Sequence, residues 1–198
     1  MPLFGDNKSF APKGLGSHND LAKLVTRDIE PIRYFLEPVV VAINYSIKHL
    51  APEDVVMIGL SGGGWTTTLC AAIDPRIRLS VPVAGTLPDY LRVGRPGDTG
   101  DWEQYYSDLY KIANYLDLYV LGSSGTGRRQ RQVLNKYDTC CFWGVGYRTY
   151  EKPMSDALGK LNAAAFDVYL DESHRSHLVS QEARTKAITP LLDHPRPK

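Results

Sequence analysis

The stretch from Val55 to Trp65 constrains the fold of this chain more than any other part of the sequence. It reads Val-Val-Met-Ile-Gly-Leu-Ser-Gly-Gly-Gly-Trp. The continuous apolar, β-branched run at its start is typical of a strand that is buried on both faces of a parallel sheet. A helix is predicted from residue 62 to residue 73, so the backbone has to turn sharply at Ser61. We expect Gly59 and Gly63 to be needed there, because a Cβ atom at either position would clash in so tight a turn.

The remaining pattern alternates strands with helices. At 198 residues the chain suits one domain, with an irregular segment at 1–16 and a tail at 193–198. Further strands are predicted at 79–83, 118–121 and 166–170, and helices at 31–50, 101–116, 155–163 and 180–192. Pro38 should kink the first helix or join two pieces, and 122–152 reads as a long loop. This alternation predicts an α/β fold with a mostly parallel β-sheet flanked by helices.

The turn at Ser61 also carries the clearest chemical signal. Gly59 to Gly63 spell Gly-x-Ser-x-Gly between a strand and a helix, the context in which this motif presents a nucleophilic serine. The N-terminus of the helix favours negative charge that develops beside the hydroxyl, and the backbone N–H of Gly62 is the natural first oxyanion donor. The alternative is a glycine-rich connecting turn. A P-loop is excluded because no Lys-Ser/Thr follows the glycines, and the spacing does not fit a dinucleotide fingerprint.

From this motif, through Asp74-Pro75-Arg76-Ile77-Arg78, to the histidines near its end, the chain resembles serine hydrolases of the α/β-hydrolase superfamily. The resemblance is nearest to the esterase, dienelactone-hydrolase and prolyl-oligopeptidase-like branches. It implies an α/β-hydrolase-like fold and a triad in the order Ser, acid, His. The base should then follow the late strand: His177, which precedes an apolar pair and Ser180, is favoured, and His174 is the fallback.

The acid of such a triad should lie on the loop after the preceding strand. Asp138 is chosen almost by elimination, as the only carboxylate between the strand predicted at 118–121 and Glu151. This choice requires an insertion after the strand, and a solvated loop aspartate is a close alternative. Asp171 or Glu172 would serve only in an unusual arrangement.

Other residues give weaker signals. Trp65 could line a substrate pocket, but aromatic packing in the core explains it equally well. No cofactor is implied, and a metal site is not expected because Cys140 and Cys141 are adjacent and the two late histidines supply two ligands at best. The remaining histidines have no partner pattern and are expected at the surface: His18, His49 and His194. The basic residues of the long loop are expected to form a solvated face: Arg128, Arg129, Arg131 and Lys136.

The overall composition excludes several classes of function. A net charge of +1 gives no field for nucleic acid, and the longest apolar stretch, 39–43, is too short to cross a bilayer. No secretion signal is visible and three cysteines form no disulfide framework, so the expected location is cytoplasmic, unless the native chain is longer.

The first 50 residues contain no strand and no His-Gly-Gly-Gly-like loop to supply a second oxyanion N–H. We therefore expect a chain truncated at its N-terminus, or a natural minimal version, with an exposed sheet edge that favours homo-oligomers and with weak activity. The predicted function is hydrolysis of a small-molecule carboxylic ester or related acyl bond through an acyl-enzyme on Ser61. The alternatives are a non-catalytic binding module of the same fold and an amidase or peptidase.

Overall fold

A computed structural model describes residues 15–92, 100–161 and 165–193. The predicted segment 1–16 and tail 193–198 therefore lie almost wholly outside the described residues. The α-helices are α1 (Arg33–Leu50), α2 (Gly62–Ile73), α3 (Ser107–Tyr110), α4 (Tyr115–Ser123), α5 (Glu151–Lys160), α6 (Gln181–Ala183) and α7 (Thr189–Asp193). A π-helical segment, Arg184–Ile188, joins the last two into one helical run, and α1 continues through Pro38 without a break. Short 3-10 helices lie at His18–Leu24, Asp89–Leu91, Trp102–Gln104 and Gly146–Thr149.

The four strands of the described residues form one parallel sheet in the order of the sequence, β1-β2-β3-β4. Their bounds are β1 Val55–Leu60, β2 Ile77–Val83, β3 Arg129–Asn135 and β4 Ala165–Asp171. Each strand pairs in parallel with the next. The predicted fold class, a parallel sheet flanked by helices, is confirmed. Because all four strands run in one direction, the loops that follow them meet at a single edge of the sheet, where a site can be assembled.

The position of β1 differs from the prediction. Among the described residues this strand pairs only with β2, so it is the edge of the sheet and not a strand buried on both faces. Its residues are half-buried or exposed, and Ile58 is 42% exposed. An apolar run does not distinguish a central strand from an edge strand, because the sequence does not state what lies beside it.

The two faces of the sheet are covered by different helices. On one face, the helical run from Gln181 to Asp193 packs its alanines, Ile188 and Leu191 against Leu79, Val81, Val83 and Val133. On the other face α2, α4 and α5 enclose a core rich in aromatic rings, which includes Trp65, Tyr115, Tyr119, Tyr150 and Phe166. This covering leaves the carboxyl-terminal edge of the sheet free for functional loops.

The third strand is where the sequence-based prediction was wrong. The segment predicted as a strand at 118–121 belongs to helix α4, the predicted helix at 101–116 is broken into two short turns, and the supposed loop contains β3. The sequence of β3, Arg-Gln-Arg-Gln-Val-Leu-Asn, is too polar to read as a buried strand. Each of its buried glutamines makes a hydrogen bond inside the core: Gln130 donates to Ser80 Oγ at 3.1 Å, and Gln132 accepts from Tyr150 at 2.6 Å. Such bonds lower the cost of burying a polar side chain, although Gln130 Oε1 has no partner among the described residues.

The arginines of that segment are also not a solvated face. Arg128 is buried, and its guanidinium donates to the carbonyl oxygens of Ala71, Ile77, Leu121 and Ser124. It therefore ties α2, β2 and α4 together. Arg131 forms a bidentate ion pair with Asp167 on the neighbouring strand, at 2.5 and 2.8 Å.

Within the described residues, no helix is both long and apolar enough to span a membrane.

Candidate active site

Ser61 lies on the sharp turn between β1 and α2 that the sequence predicted. Its φ of +56° and ψ of −123° lie in a region that side chains other than glycine rarely adopt. The turn is held on both sides, because the N–H of Ser61 donates to Val83 O and its carbonyl accepts from Trp65 N–H, both at 2.9 Å. A strained backbone persists only where its surroundings fix it. The consequence is a hydroxyl displayed at the carboxyl-terminal end of the sheet.

The glycines around Ser61 have unequal roles. A Cβ atom at Gly59 would lie 2.1 Å from the carbonyl oxygen of Gly63, which no side chain tolerates. A Cβ atom at Gly63 would meet nothing within 4 Å, so the prediction that Gly63 is sterically required was wrong. Gly64, which follows Gly63 in α2, is sterically constrained instead. It lies so close to Gly85 that a Cβ atom on Gly85 would be 2.6 Å from Gly64. Formation of the turn thus depends on Gly59, two residues before Ser61, and on the close contact between α2 and the segment after β2.

Ser61 and Gly62 border a cavity of about 220 Å³. Its other walls come from Gly100 to Gln104 and from the loop after β3, with Cys141 and Phe142. Helix α2 begins at Gly62, so the N–H of Gly62 has no partner inside the helix. An N–H in this position can donate to an oxygen of a bound molecule.

Asp138 and His177 form a close pair at the same edge of the sheet. Asp138 follows β3 and His177 follows β4, and His177 Nδ1 lies 2.7 Å from Asp138 Oδ2. The side chain of Asp138 is fully buried. Its Oδ2 also accepts from Asn135 Nδ2 at 3.2 Å, and its Oδ1 accepts from the backbone N–H groups of Cys140 and Cys141, at 2.8 and 3.4 Å. The carboxylate is therefore fixed in one orientation, facing the imidazole.

The position of β3 removes a difficulty in the sequence-based assignment of the acid. Asp138 lies three residues after the end of β3 at Asn135, so no insertion is needed between strand and acid. The insertion was inferred only because the preceding strand was placed at 118–121. Asn135 and the two cysteine N–H groups, which hold Asp138, were missed by sequence reasoning, since nothing in their spacing points to this role.

The two cysteines that follow Asp138 form a vicinal disulfide, Cys140–Cys141. Cys141, the second cysteine of this pair, lines the Ser61 cavity. A ring nitrogen of His177 and both sulfur atoms lie within 4.8 Å of one another. The imidazole of His177 is thus close to the cavity that Ser61 borders. Cys70, by contrast, is buried in α2, and burial raises the pKa of its thiol to about 12, so it is not a reactive cysteine.

His177 has a free nitrogen of the kind a general base requires. Its Nε2 is buried and has no hydrogen-bond partner among the described residues. With the carboxylate ionised and the imidazole neutral, Nδ1 carries the proton and donates it in a hydrogen bond to Asp138, and Nε2 holds a lone pair. The described residues show no hydrogen bond from Ser61 Oγ to this nitrogen. Catalytic hydrogen bonds are often long in the absence of substrate.

His174, the fallback base, belongs to a different pair. Its Nε2 lies 3.3 Å from Asp171 Oδ2, and its Nδ1 accepts the N–H of Ser176 at 3.1 Å. Asp171 is itself held by the hydroxyls of Ser173 and Ser180. Burial works to raise the pKa of Asp171, but the hydrogen bonds from Ser173 and Ser180 outweigh it and lower the pKa below its usual value. Because Ser180 caps the final helical run by accepting from Ala183 N–H, this pair anchors the end of the fold.

For Trp65 the structure favours the second of the two explanations that the sequence allowed, which is packing in the core. Trp65 is fully buried, donates from Nε1 to Tyr110 at 2.7 Å and packs edge-on against Phe35, so it belongs to the core and does not line the Ser61 cavity. Trp143 is 40% exposed and lines a second cavity of about 420 Å³, with Leu87, Leu91, Tyr137 and Val145 among its walls. This second cavity is made by the same two loops, after β2 and β3, and is largely apolar.

The remaining histidines are only partly as expected. His49 lies at the surface end of α1 against Tyr45, and His194 lies outside the described residues. His18 is half exposed, but it has a partner that the sequence did not reveal: Glu103, whose Oε1 lies 3.0 Å from His18 Nδ1 across 85 residues of chain. Only the tertiary structure brings these two residues together.

Comparisons with known proteins give similarity in structure alone. No protein-family model and no curated protein matches the sequence. Among solved structures, the chain is similar to the esterase Est1E from Butyrivibrio proteoclasticus, with 17% identity over 78% of this chain and 66% of that chain and a TM-score of 0.49. It is also similar to an esterase from Pyrococcus furiosus, with 11% identity over 77% of this chain and 56% of that one and a TM-score of 0.48.

An acetyl xylan esterase from Paenibacillus sp. R4 is a further similar structure, with 16% identity, coverage of 67% of this chain and 42% of that chain, and a TM-score of 0.36. The chain thus spans 42% to 66% of the lengths of these three proteins. Any chemistry has to be argued from the residues of this chain.

Proposed function

We propose that the protein is a serine hydrolase that cleaves a small carboxylic ester or related acyl bond through an acyl-enzyme on Ser61. The observation that carries the proposal is the conjunction of two features at one edge of the sheet. Ser61 is held on a strained strand-to-helix turn, and His177 is oriented by a buried carboxylate with its other nitrogen unpartnered among the described residues. A core serine or a surface histidine would have neither property.

The residues divide the reaction between them as follows. Ser61 Oγ attacks the acyl carbon while His177 Nε2 accepts its proton, and the resulting imidazolium is stabilised by the adjacent Asp138 carboxylate. His177 then returns the proton to the leaving alcohol, and the acyl group stays on Ser61. Water attacks the acyl-enzyme by the same route in reverse, which releases the acid and restores the serine.

The oxyanion that forms in each step requires donors beside Ser61. The N–H of Gly62 is one such donor, supported by the N-terminal end of the twelve-residue helix α2. A backbone N–H is fixed before substrate arrives, so it costs no reorganisation when negative charge develops.

The cavities favour a small acyl group and an apolar group beside it. The space next to Ser61, about 220 Å³, is smaller than a typical ligand pocket of ~300–1,000 Å³. The second cavity of about 420 Å³ begins at Trp143, the neighbour of Phe142 in the first. A short acyl chain in the first cavity and an aromatic or alkyl alcohol in the second would use both.

The experiment that tests the proposal is labelling with a fluorophosphonate probe, combined with hydrolysis of p-nitrophenyl acetate. Wild-type protein should be labelled on Ser61, and Ser61→Ala should lose both labelling and hydrolysis. Ser46, a serine of α1 far along the chain from the turn, provides a matched control, because Ser46→Ala should keep both. A well-folded wild-type protein that shows neither activity would refute the hydrolase proposal and favour the alternative, a non-catalytic binding module.

An amidase or peptidase with the same three residues is the second candidate of this class. It differs in the leaving group, which is an amine and has to be protonated before it departs. Parallel assays with p-nitrophenyl acetate and the matching p-nitroanilide would separate the two, because an esterase hydrolyses the anilide far more slowly.

A further inference from the structure

We propose that His18, Asp101 and Glu103 form a binding site for a divalent cation of the Zn²⁺ type in the wall of the Ser61 cavity. The binding site goes beyond the proposed hydrolase function and does not depend on it, whereas the role of the cation beside Ser61 rests on that function. No metal site was expected from the sequence, because Cys140 and Cys141 are adjacent and the two late histidines supply two ligands at best. His18 lies 83 positions before Asp101 and 85 positions before Glu103 in the chain. Asp101 and Glu103 are near neighbours.

The geometry brings one ligand atom from each residue into a small volume. These three atoms all lie within 4.8 Å of one another. His18 Nδ1 lies 3.0 Å from Glu103 Oε1 and 3.5 Å from Asp101 Oδ2. His18 opens a short 3-10 helix and packs edge-on against Phe35, while Glu103 belongs to the 3-10 helix Trp102–Gln104. The ligand atoms are therefore carried by two ordered turns that face each other.

Glu103 supplies an independent indication that a ligand belongs here. Its side chain is only 2% exposed, and its Oε2 atom is buried without a hydrogen-bond partner among the described residues. A buried carboxylate oxygen without a hydrogen-bond partner is costly, because burial removes the water that would bind it. His18 contacts only the other oxygen. A cation bound between the three side chains would supply a partner for this carboxylate.

The donor set indicates the kind of cation. One imidazole nitrogen with two carboxylates suits Zn²⁺, which binds His and Asp or Glu in four-coordinate sites. Ca²⁺ and Mg²⁺ prefer shells made of oxygen alone. The other cluster of potential ligands, Cys140, Cys141 and His177, has its two sulfur atoms in a disulfide, which leaves one ligand.

The location gives the cation a role near the nucleophile. Asp101 and Glu103 line the same cavity as Ser61 and Gly62. Asp101 is half exposed and Glu103 is buried in this wall, and ionised carboxylates beside Ser61 would oppose an oxyanion by like-charge repulsion. A bound cation reverses this effect and also fixes the wall formed by residues 100–104. It acts on charge and position, and it requires no bond to the substrate.

The test is calorimetric titration of ZnCl₂ into the full-length protein, first treated with chelator and kept without reductant so that the disulfide stays closed. One Zn²⁺ should bind, and it should raise the melting temperature. Glu103→Gln should weaken binding by at least about tenfold, since loss of even an outer-shell partner has an effect of that size. Asp108→Asn is the matched control: Asp108 is an exposed acid of the same region, paired with Lys111, and its loss should leave binding unchanged.

Three results would overturn the proposal. They are the absence of Zn²⁺ binding by the wild type, equal binding by wild type and Glu103→Gln, and binding that survives His18→Ala but is lost in His177→Ala. The last result would place the cation at the disulfide cluster. His18→Ala is expected to fold, because His18 is half exposed. If Glu103→Gln is too unstable to measure, the binding of Zn²⁺ to His18→Ala still tests the proposal. Binding is measured without substrate, so its outcome is separate from that of the hydrolase proposal.

Discussion

Replacement of Asp138 by asparagine should lower the rate of ester hydrolysis while leaving the shape of the site unchanged. Asp138 is held by donors on both oxygens: Cys140 N–H on Oδ1 at 2.8 Å, and His177 Nδ1 and Asn135 Nδ2 on Oδ2 at 2.7 and 3.2 Å. An asparagine keeps one acceptor oxygen, which the fixed backbone N–H of Cys140 will retain. Its amide NH₂ then faces His177, where only an acceptor can meet it.

The consequence is a change of tautomer. With a donor opposite Nδ1, the ring proton moves to Nε2, and the nitrogen that faces the cavity can no longer accept the proton of Ser61. In another serine hydrolase the same change lowers kcat about 10⁴-fold, equivalent to about 5 kcal/mol of transition-state stabilisation. We expect a loss of this order, measured as kcat for p-nitrophenyl acetate, with melting temperature recorded for each variant.

His174→Gln is the matched control for this prediction. His174 is also a half-buried histidine beside a buried aspartate, but its partner is Asp171. This variant should keep kcat within about tenfold of wild type, while His177→Gln should lose it about as completely as loss of a triad base does. If Asp138→Asn stays within tenfold of wild type, the tautomer argument is wrong. If His174→Gln is inactive and His177→Gln is active, the base is the other histidine.

Four further predictions concern the frame that holds the site. Gly59→Ala should prevent formation of the turn, since its Cβ would lie 2.1 Å from a backbone oxygen. Gly63→Ala should be tolerated, because nothing lies within 4 Å of its Cβ. Circular dichroism and fluorophosphonate labelling distinguish the two variants, and equal behaviour would contradict the steric argument. Ser61→Gly should be more stable to urea than Ser61→Ala by about 1 kcal/mol, because glycine relieves the positive φ; an equal or lower stability would mean that the turn is not strained. Arg128→Lys should destabilise the fold by about 2 kcal/mol or more through lost bonds to buried carbonyls, and an unchanged urea midpoint would refute this. Asp171 has a lowered pKa in the folded state, so the stability it contributes is present above pH ~4 and lost as pH falls through that pKa; Asp171→Asn should be less stable than wild type at neutral pH, and a difference that persists at strongly acid pH would contradict the assignment.

The sequence predicted the elbow and its flanking elements closely because these depend on local properties. Helix α2 begins at Gly62 and ends at Ile73, as expected, and the strand before it, predicted at 54–60, begins one residue later at Val55 and ends at Leu60. A β-branched run, glycines at fixed positions and a helix that follows directly are all visible within twenty residues. Strand β3 was missed for the opposite reason: its buried glutamines and its half-buried Arg131 are stabilised by Ser80, Tyr150 and Asp167, none of which is local to it.

The sequence by itself determined the class of fold, the position of Ser61 and the choice of Asp138 and His177 as residues to examine. It could not determine that β1 is an edge strand, that Trp65 is core, or that His18 meets Glu103. Each of these facts depends on which segments become neighbours when the helices pack against the sheet. Local patterns encode backbone conformation, since sterics and periodicity act over a few residues. The partners of a buried charge or the lining of a cavity come from distant parts of the chain, and only the tertiary structure brings them together.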